Sequence, residues 1–213
     1  TGVQTCALPI CEESDTITMK TIDQILKIKS TVLYILEKMP EGVDYIHLFK
    51  TLYFAQQEHL VRYGMPIMDD SFMARKHGPV AALTYKVLRG VEGKVDVTDE
   101  CLRNFMQSVK VKIVDGHQIV TIANGATCDV DELSVSNMKV LDKWIDKCKD
   151  IESFDLSDLS HDDAWQTAKS KTELTGEDTK ITLYDMAKAG GANDAMLGVI
   201  RERQINSREL QWI

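Results

Sequence analysis

Proline and glycine are scarce, four and twelve in 213 residues, too few for a linker-dominated or collagen-like chain. No apolar run approaches the roughly 18 residues that a membrane helix requires. The five cysteines (Cys6, Cys11, Cys101, Cys128, Cys148) are odd in number and form no C-x-x-C pair. A zinc ribbon and a small disulfide scaffold are therefore disfavoured, and a reducing, cytoplasmic compartment is expected. The five histidines are scattered, and none forms H-x-x-x-H or H-E-x-x-H. No phosphate loop and no nucleophile spaced to a base is visible, so no catalytic residue, metal ligand or cofactor is assigned. A surplus of basic charge is also lacking. Twenty-five Lys and Arg against 33 Asp and Glu give a net −8, which disfavours broad binding to nucleic acid or anionic membranes.

What is present is ordinary globular composition, with 44% hydrophobic and 27% charged residues. Residues 1–18 show neither helical nor strand period and lack the basic start and apolar core of a secretory signal. They read as a non-native or disordered leader, translated from upstream or adapter sequence, ahead of a single domain over 19–213. From Met19 the pattern is helical, with Ile22, Ile25, Leu26, Val32, Leu33 and Leu36 forming one apolar stripe. A second helix is expected from the N-cap Asp44 to Gly64. After an irregular, turn-rich stretch expected to hold one or two brief extended pieces, Gly78-Pro79 predicts a third helix over 80–89, with Pro79 at its first position and Gly90 as its stop. A short helix follows over about 99–107.

Residues 109–114 alternate apolar and charged residues, Asp115-Gly116 is a tight-turn signal and 117–123 returns, which predicts a hairpin. Ser134 should cap a helix to about Lys149 with Met138, Leu141, Ile145 and Cys148 inward. Residues 153–169 read as two short helices broken near Ser160-His161, and a last helix is expected from about Asn193. The fold class that emerges is mainly α (α+β), a single compact helical domain with a small antiparallel β-hairpin.

The stretch from Leu48 to Leu88 resembles the SocA-like antitoxins built on the Panacea domain, a family also met as phage-associated proteins. The resemblance rests on Leu52, Tyr53, Phe54, Ala55, His59, Leu60, Tyr63 and Gly64, then on Ala74, Gly78, Pro79 and Val80, and on Tyr85 and Leu88. A second match is Leu156 to Trp165, the pattern L-S-x-L-S-H-x-x-x-W with His161 and Trp165. The resemblance implies a bacterial protein that neutralises a cognate protein toxin of a toxin–antitoxin system by direct contact. One member resembles a proteolytic adaptor, so delivery of a client to a cellular protease is the alternative. A phage-related regulator touching nucleic acid is another, and an unrecognised hydrolase is the last.

Candidate contact residues come with competing readings. Arg75, Lys76 and His77 precede the expected helix start at Pro79, where amides and dipole favour an anion; the alternative is a solvated loop. Phe54 points about 100° away from the face of Tyr53, Gln56, Leu60 and Tyr63 and is either a toxin-contact aromatic or core packing. His59 and His161 read as hydrogen-bonded structural histidines. Residues 129–163 hold eleven acids and four lysines, a net −7. Residues 1–18 carry −3 of the total −8, which leaves +2 for everything else. Asp158, Asp162 and Asp163 thus either belong to a solvated face or steer a basic toxin. Tyr53, His59, Tyr63, Gly64, Gly78, Pro79, Tyr85, His161 and Trp165 carry the family pattern and read as structural.

Overall fold

The computed structural model describes residues 22–209 except 124; the expected leader, 1–18, lies outside the described residues. Helix α1 (Ile22–Lys38) leads through β1 (Val43–Asp44) into α2 (Tyr45–Tyr63). Asp44 has extended backbone and accepts from His47 N, and Gly64 ends α2 in the left-handed region at φ +64. Both signals are local, so both boundaries fall where the sequence places them. From Leu48 to Gln56 every residue of α2 is buried, because neighbours surround it. Helix α1 is buried at every position from Ser30 to Leu36, while Ile22 and Leu26 are exposed. The single-stripe expectation is thus corrected: the second half of α1 is a core helix.

Beyond α2 come β2 (Phe72–Arg75) and β3 (Gly78–Ala81), an antiparallel pair closed by Lys76-His77, with Ala74 opposite Pro79 and Arg75 opposite Gly78. This corrects the expected helix start. Pro79 is not a first helical residue but lies in an outer strand, where its missing donor does little harm. Helix α3 (Ala82–Val91) begins three residues later and runs past Gly90. Its N-cap, Ala81, has no side chain to cap with, so Asp70 serves. The buried Asp70 carboxylate accepts from Leu83 N (2.9 Å), Thr84 N (2.9 Å) and Thr84 Oγ1 (2.8 Å). The anion place at this helix start is filled from within.

Helix α4 (Glu100–Gln107) feeds β4 (Val109–Val114) and β5 (His117–Ile122), with Asp115 and Gly116 both at positive φ. Helix α5 (Val135–Cys148) starts in a capping box between Ser134 and Asn137. Leu141, Ile145 and Cys148 are buried as expected, and Met138 is half-buried. Helices α6 (Ser153–Leu159) and α7 (Asp163–Thr175) are followed by β6 (Lys180–Ile181), α8 (Leu183–Ala189) and α9 (Asp194–Glu209). The protein is mainly α with some β, as expected, but the described residues form two three-stranded sheets rather than one hairpin: β1-β5-β4 and β3-β2-β6, antiparallel throughout. The two-residue strands β1 and β6 are too short to announce themselves by alternation. One core runs through α1, α2, α5 and both sheets.

Candidate functional site

The turn of the β2–β3 hairpin is clamped by donors from three helices. Trp165 Nε1 on α7 donates to the Arg75 carbonyl, Ser157 Oγ on α6 to the His77 carbonyl, and Lys50 Nζ on α2 to the Pro79 carbonyl, each at 3.0 Å. Gly78, at φ +95, leaves room for this; a Cβ there would collide with Ser160 Oγ and Lys50 Nζ. Lys50 is 1% exposed. Among the described residues no carboxylate pairs with it, and burial pushes its ammonium down to about 7.

Beside the clamp, Asp162 caps α7 by accepting from Trp165 N at 3.0 Å. It also accepts from Tyr53 Oη at 2.8 and 3.0 Å and from Gln57 Nε2 at 2.7 Å. Burial, then the Asp162 charge, raises the Tyr53 phenol and keeps it a donor. His161 stacks on Trp165 with centroids 3.9 Å apart. Burial first, then the Lys50 charge, holds this imidazole below its usual value. The family-pattern residues Tyr53, Gly78, Pro79, His161 and Trp165 are thus brought together where α2, the hairpin and the α6–α7 junction meet.

The other pattern residues pack elsewhere. His59 Nδ1 reaches the Met65 carbonyl at 2.7 Å, and its Nε2 lies 3.0 Å from Asn137 Nδ2. Since the Asn137 amide donates, His59 is the neutral tautomer with its proton on Nδ1, and burial lowers its pKa. Tyr63 lies against the His59 ring. Tyr85 packs with Tyr45 and Phe49.

Several candidate contact residues are placed in packing or structural roles. Phe54 is 7% exposed and stacks under Trp144 at 4.8 Å; it is core, because the α2 face opposite Leu52 is covered by α5. The Arg75 guanidinium lies 4.4 Å over the Tyr85 ring, and its Nε is 3.0 Å from Asp178. Asp162 is committed to its cap and to Tyr53. Lys76 and His77 are exposed in the turn, as are Asp158 and Asp163 on α6 and α7.

Helix α6 shows how this surface is made. Leu156, Ser157 and the following Ser160 are buried, and at 100° per residue they share one side with Ser153. The opposite arc carries Phe154 (72% exposed), Asp155, Asp158 and Leu159 (60% exposed). Residues 150–168 contain six carboxylates and no lysine or arginine. By contrast, the acids on α5 are partly neutralised: Asp142 pairs with Lys38 at 3.1 Å and Asp146 with Lys149 at 2.8 Å. The sequence reading missed Lys50, Gln57 and Phe154. Lys50, Tyr53 and Gln57 fall at i, i+3 and i+7 on α2, a polar row in an apolar helix that could have been read. Among the described residues no group of His, Cys, Asp or Glu could hold a metal ion. No helix there is long and apolar enough to cross a membrane.

A family model described as antitoxin SocA-like, Panacea domain, matches residues 48–166. That stretch includes all three donors of the hairpin clamp and the whole of α6. No curated protein and no solved structure matches the chain.

Proposed function

Because the chain belongs to the SocA-like antitoxin family with the Panacea domain, we propose that it neutralises a cognate protein toxin by binding it directly, without catalysis of its own. The outward face of α6, continued by Asp163, is the contact surface in this reading. The observation that carries it is an exposed phenylalanine and leucine set among exposed acids, with no lysine or arginine in residues 150–168, on a helix whose other side is anchored. Interfaces are built this way, with apolar anchors at the centre and polar groups at the rim. The charge selects a basic toxin. The clamp contributes by fixing α6: Ser157 ties it to the hairpin through the His77 carbonyl. A cytoplasmic site of action belongs to the same proposal, and the free thiols Cys101, Cys128 and Cys148 suit a reducing compartment.

The test is co-expression with the product of the adjacent reading frame. That product should arrest growth alone, be rescued by this protein, and co-purify with it. Phe154→Ala combined with Asp158→Lys should abolish rescue while the purified variant keeps its melting temperature. A harmless neighbour that does not co-purify would refute the reading.

A further inference from the structure

The β4–β5 hairpin offers a second surface, distinct from α6. Strand β4 lies at the outside of its sheet, and β5 separates it from β1. Ala123 N donates to the directly opposite Ser108 carbonyl at 2.9 Å. In an antiparallel ladder bonded and non-bonded pairs alternate, so Lys110, Lys112 and Val114 exchange hydrogen bonds with β5. The N–H and C=O groups of Val111 and Ile113 therefore point away from β5, to the open edge. Among the described residues no backbone group from elsewhere in the chain bonds to either.

The side chains along this edge also alternate. Val109 is buried, Val111 half-buried and Ile113 72% exposed, so the apolar face emerges into solvent toward the turn. Lys110 and Lys112 occupy the other face, both exposed, and neither forms an ion pair among the described residues. Lysines on an edge usually discourage pairing with another copy. Here they would do so by charge: two β4 strands paired antiparallel about Val111 set Lys110 against Lys112, and like charges directly opposite destabilise a ladder. An apolar Ile113 left in the open is what a protected edge avoids.

We propose that the open edge of β4 is a strand-addition site for an extended segment of a protein partner in which acidic and branched apolar side chains alternate. Backbone groups of Val111 and Ile113 supply the ladder. Acids beside Lys110 and Lys112, and apolar side chains beside Val111 and Ile113, supply register and selectivity. This inference does not depend on the antitoxin reading, because the site is defined by its own backbone and charges.

The test uses the full chain and a soluble eight-residue peptide of alternating glutamate and isoleucine, followed by backbone amide resonances. Saturable binding should slow hydrogen exchange at the Val111 and Ile113 amides and leave those of Lys110 and Lys112 little changed. Lys110→Glu with Lys112→Glu should weaken binding at least about tenfold, since both pairs become repulsive. Val111→Pro should abolish it while the fold survives with a lowered melting temperature, because the lost N–H faces away from β5 but the half-buried valine packs on the core. A peptide of alternating lysine and isoleucine should not bind. Unperturbed Val111 and Ile113 amides at millimolar peptide would overturn the proposal, as would undiminished binding to the double-lysine variant. A dimer dissolved by Val111→Pro would assign the edge to a second copy and overturn it too.

Discussion

Burial of the Lys50 amine against the Pro79 carbonyl, with no carboxylate among the described residues to offset it, ties stability to pH at one residue. The folded state holds this amine near pKa 7, against 10.5 for the free side chain. Between those values the unfolded chain binds the extra proton, so stability contributed by Lys50 rises with pH. The slope approaches about 1.4 kcal/mol per pH unit for a single group. Other groups act in the same region with opposite sign. His47, raised by the Asp44 carboxylate, loses its contribution as pH climbs through its folded pKa, and Cys128 and Cys148, raised by burial, begin to do so nearer pH 9. The informative quantity is therefore the difference between the native chain and Lys50→Met, by chemical denaturation from pH 7 to 8.5. The native chain should gain on the variant by about 1 kcal/mol or more over that range; a constant difference would mean that Lys50 is charged in the fold. Gly78 makes a second expectation at this scale. Gly78→Ala meets both an unfavourable φ and occupied space, and should cost roughly 2–4 kcal/mol of unfolding free energy.

Helices and strands differ in how far their determinants lie from them, and that distance decides what is readable. Helix α3 depends on Asp70, thirteen and fourteen residues before the two amides it satisfies. Asp70→Ala should strip both buried N–H groups of their partner and cost about 2–3 kcal/mol, with hydrogen exchange rising first at Leu83 and Thr84. Equal protection in the variant would show that the cap is dispensable. The helix α2, the turn at Asp115-Gly116 and the start of α5 at Ser134 were all legible, since cap, turn and period sit within each element. The β2–β3 hairpin was legible only in part: brief extended stretches were expected before Pro79, but not that Gly78-Pro79 would continue into a second strand. Gly78-Pro79 satisfies the local rules of a helix start as well as those of a strand after a turn, and the choice is made by Lys50, Ser157 and Trp165 from three other helices. At the candidate site the same division holds. That Asp158 and Asp163 lie on an exposed face could be read from sequence, whereas the burial of Phe54 under Trp144 and the structural commitment of Asp162 needed the packing of α5 and α7 to be known.

Across the whole molecule, charge is sorted rather than spread. Net −7 lies within residues 129–163, while the chain outside that segment and residues 1–18 carries +2. The fold sharpens this asymmetry, because the α5 acids meet Lys38 and Lys149 and those of α6 and the start of α7 have no lysine or arginine beside them in sequence. Fields of this kind act on encounter more than on the bound complex. Reversing Asp155, Asp158 and Asp163 to lysine changes the local charge by six units, all on exposed positions outside the clamp. On the proposed reading, in which the protein binds a toxin through this face, association should slow by roughly tenfold or more at low ionic strength, measured by stopped-flow fluorescence. The gap should narrow toward 0.5 M salt, where screening acts within a few ångströms. Melting temperature should move little, because Asp162, which does hold the α7 cap, is left in place. If the on-rate is unchanged at low salt, the toxin approaches by another surface, and the acids of α6 serve only to keep the protein solvated.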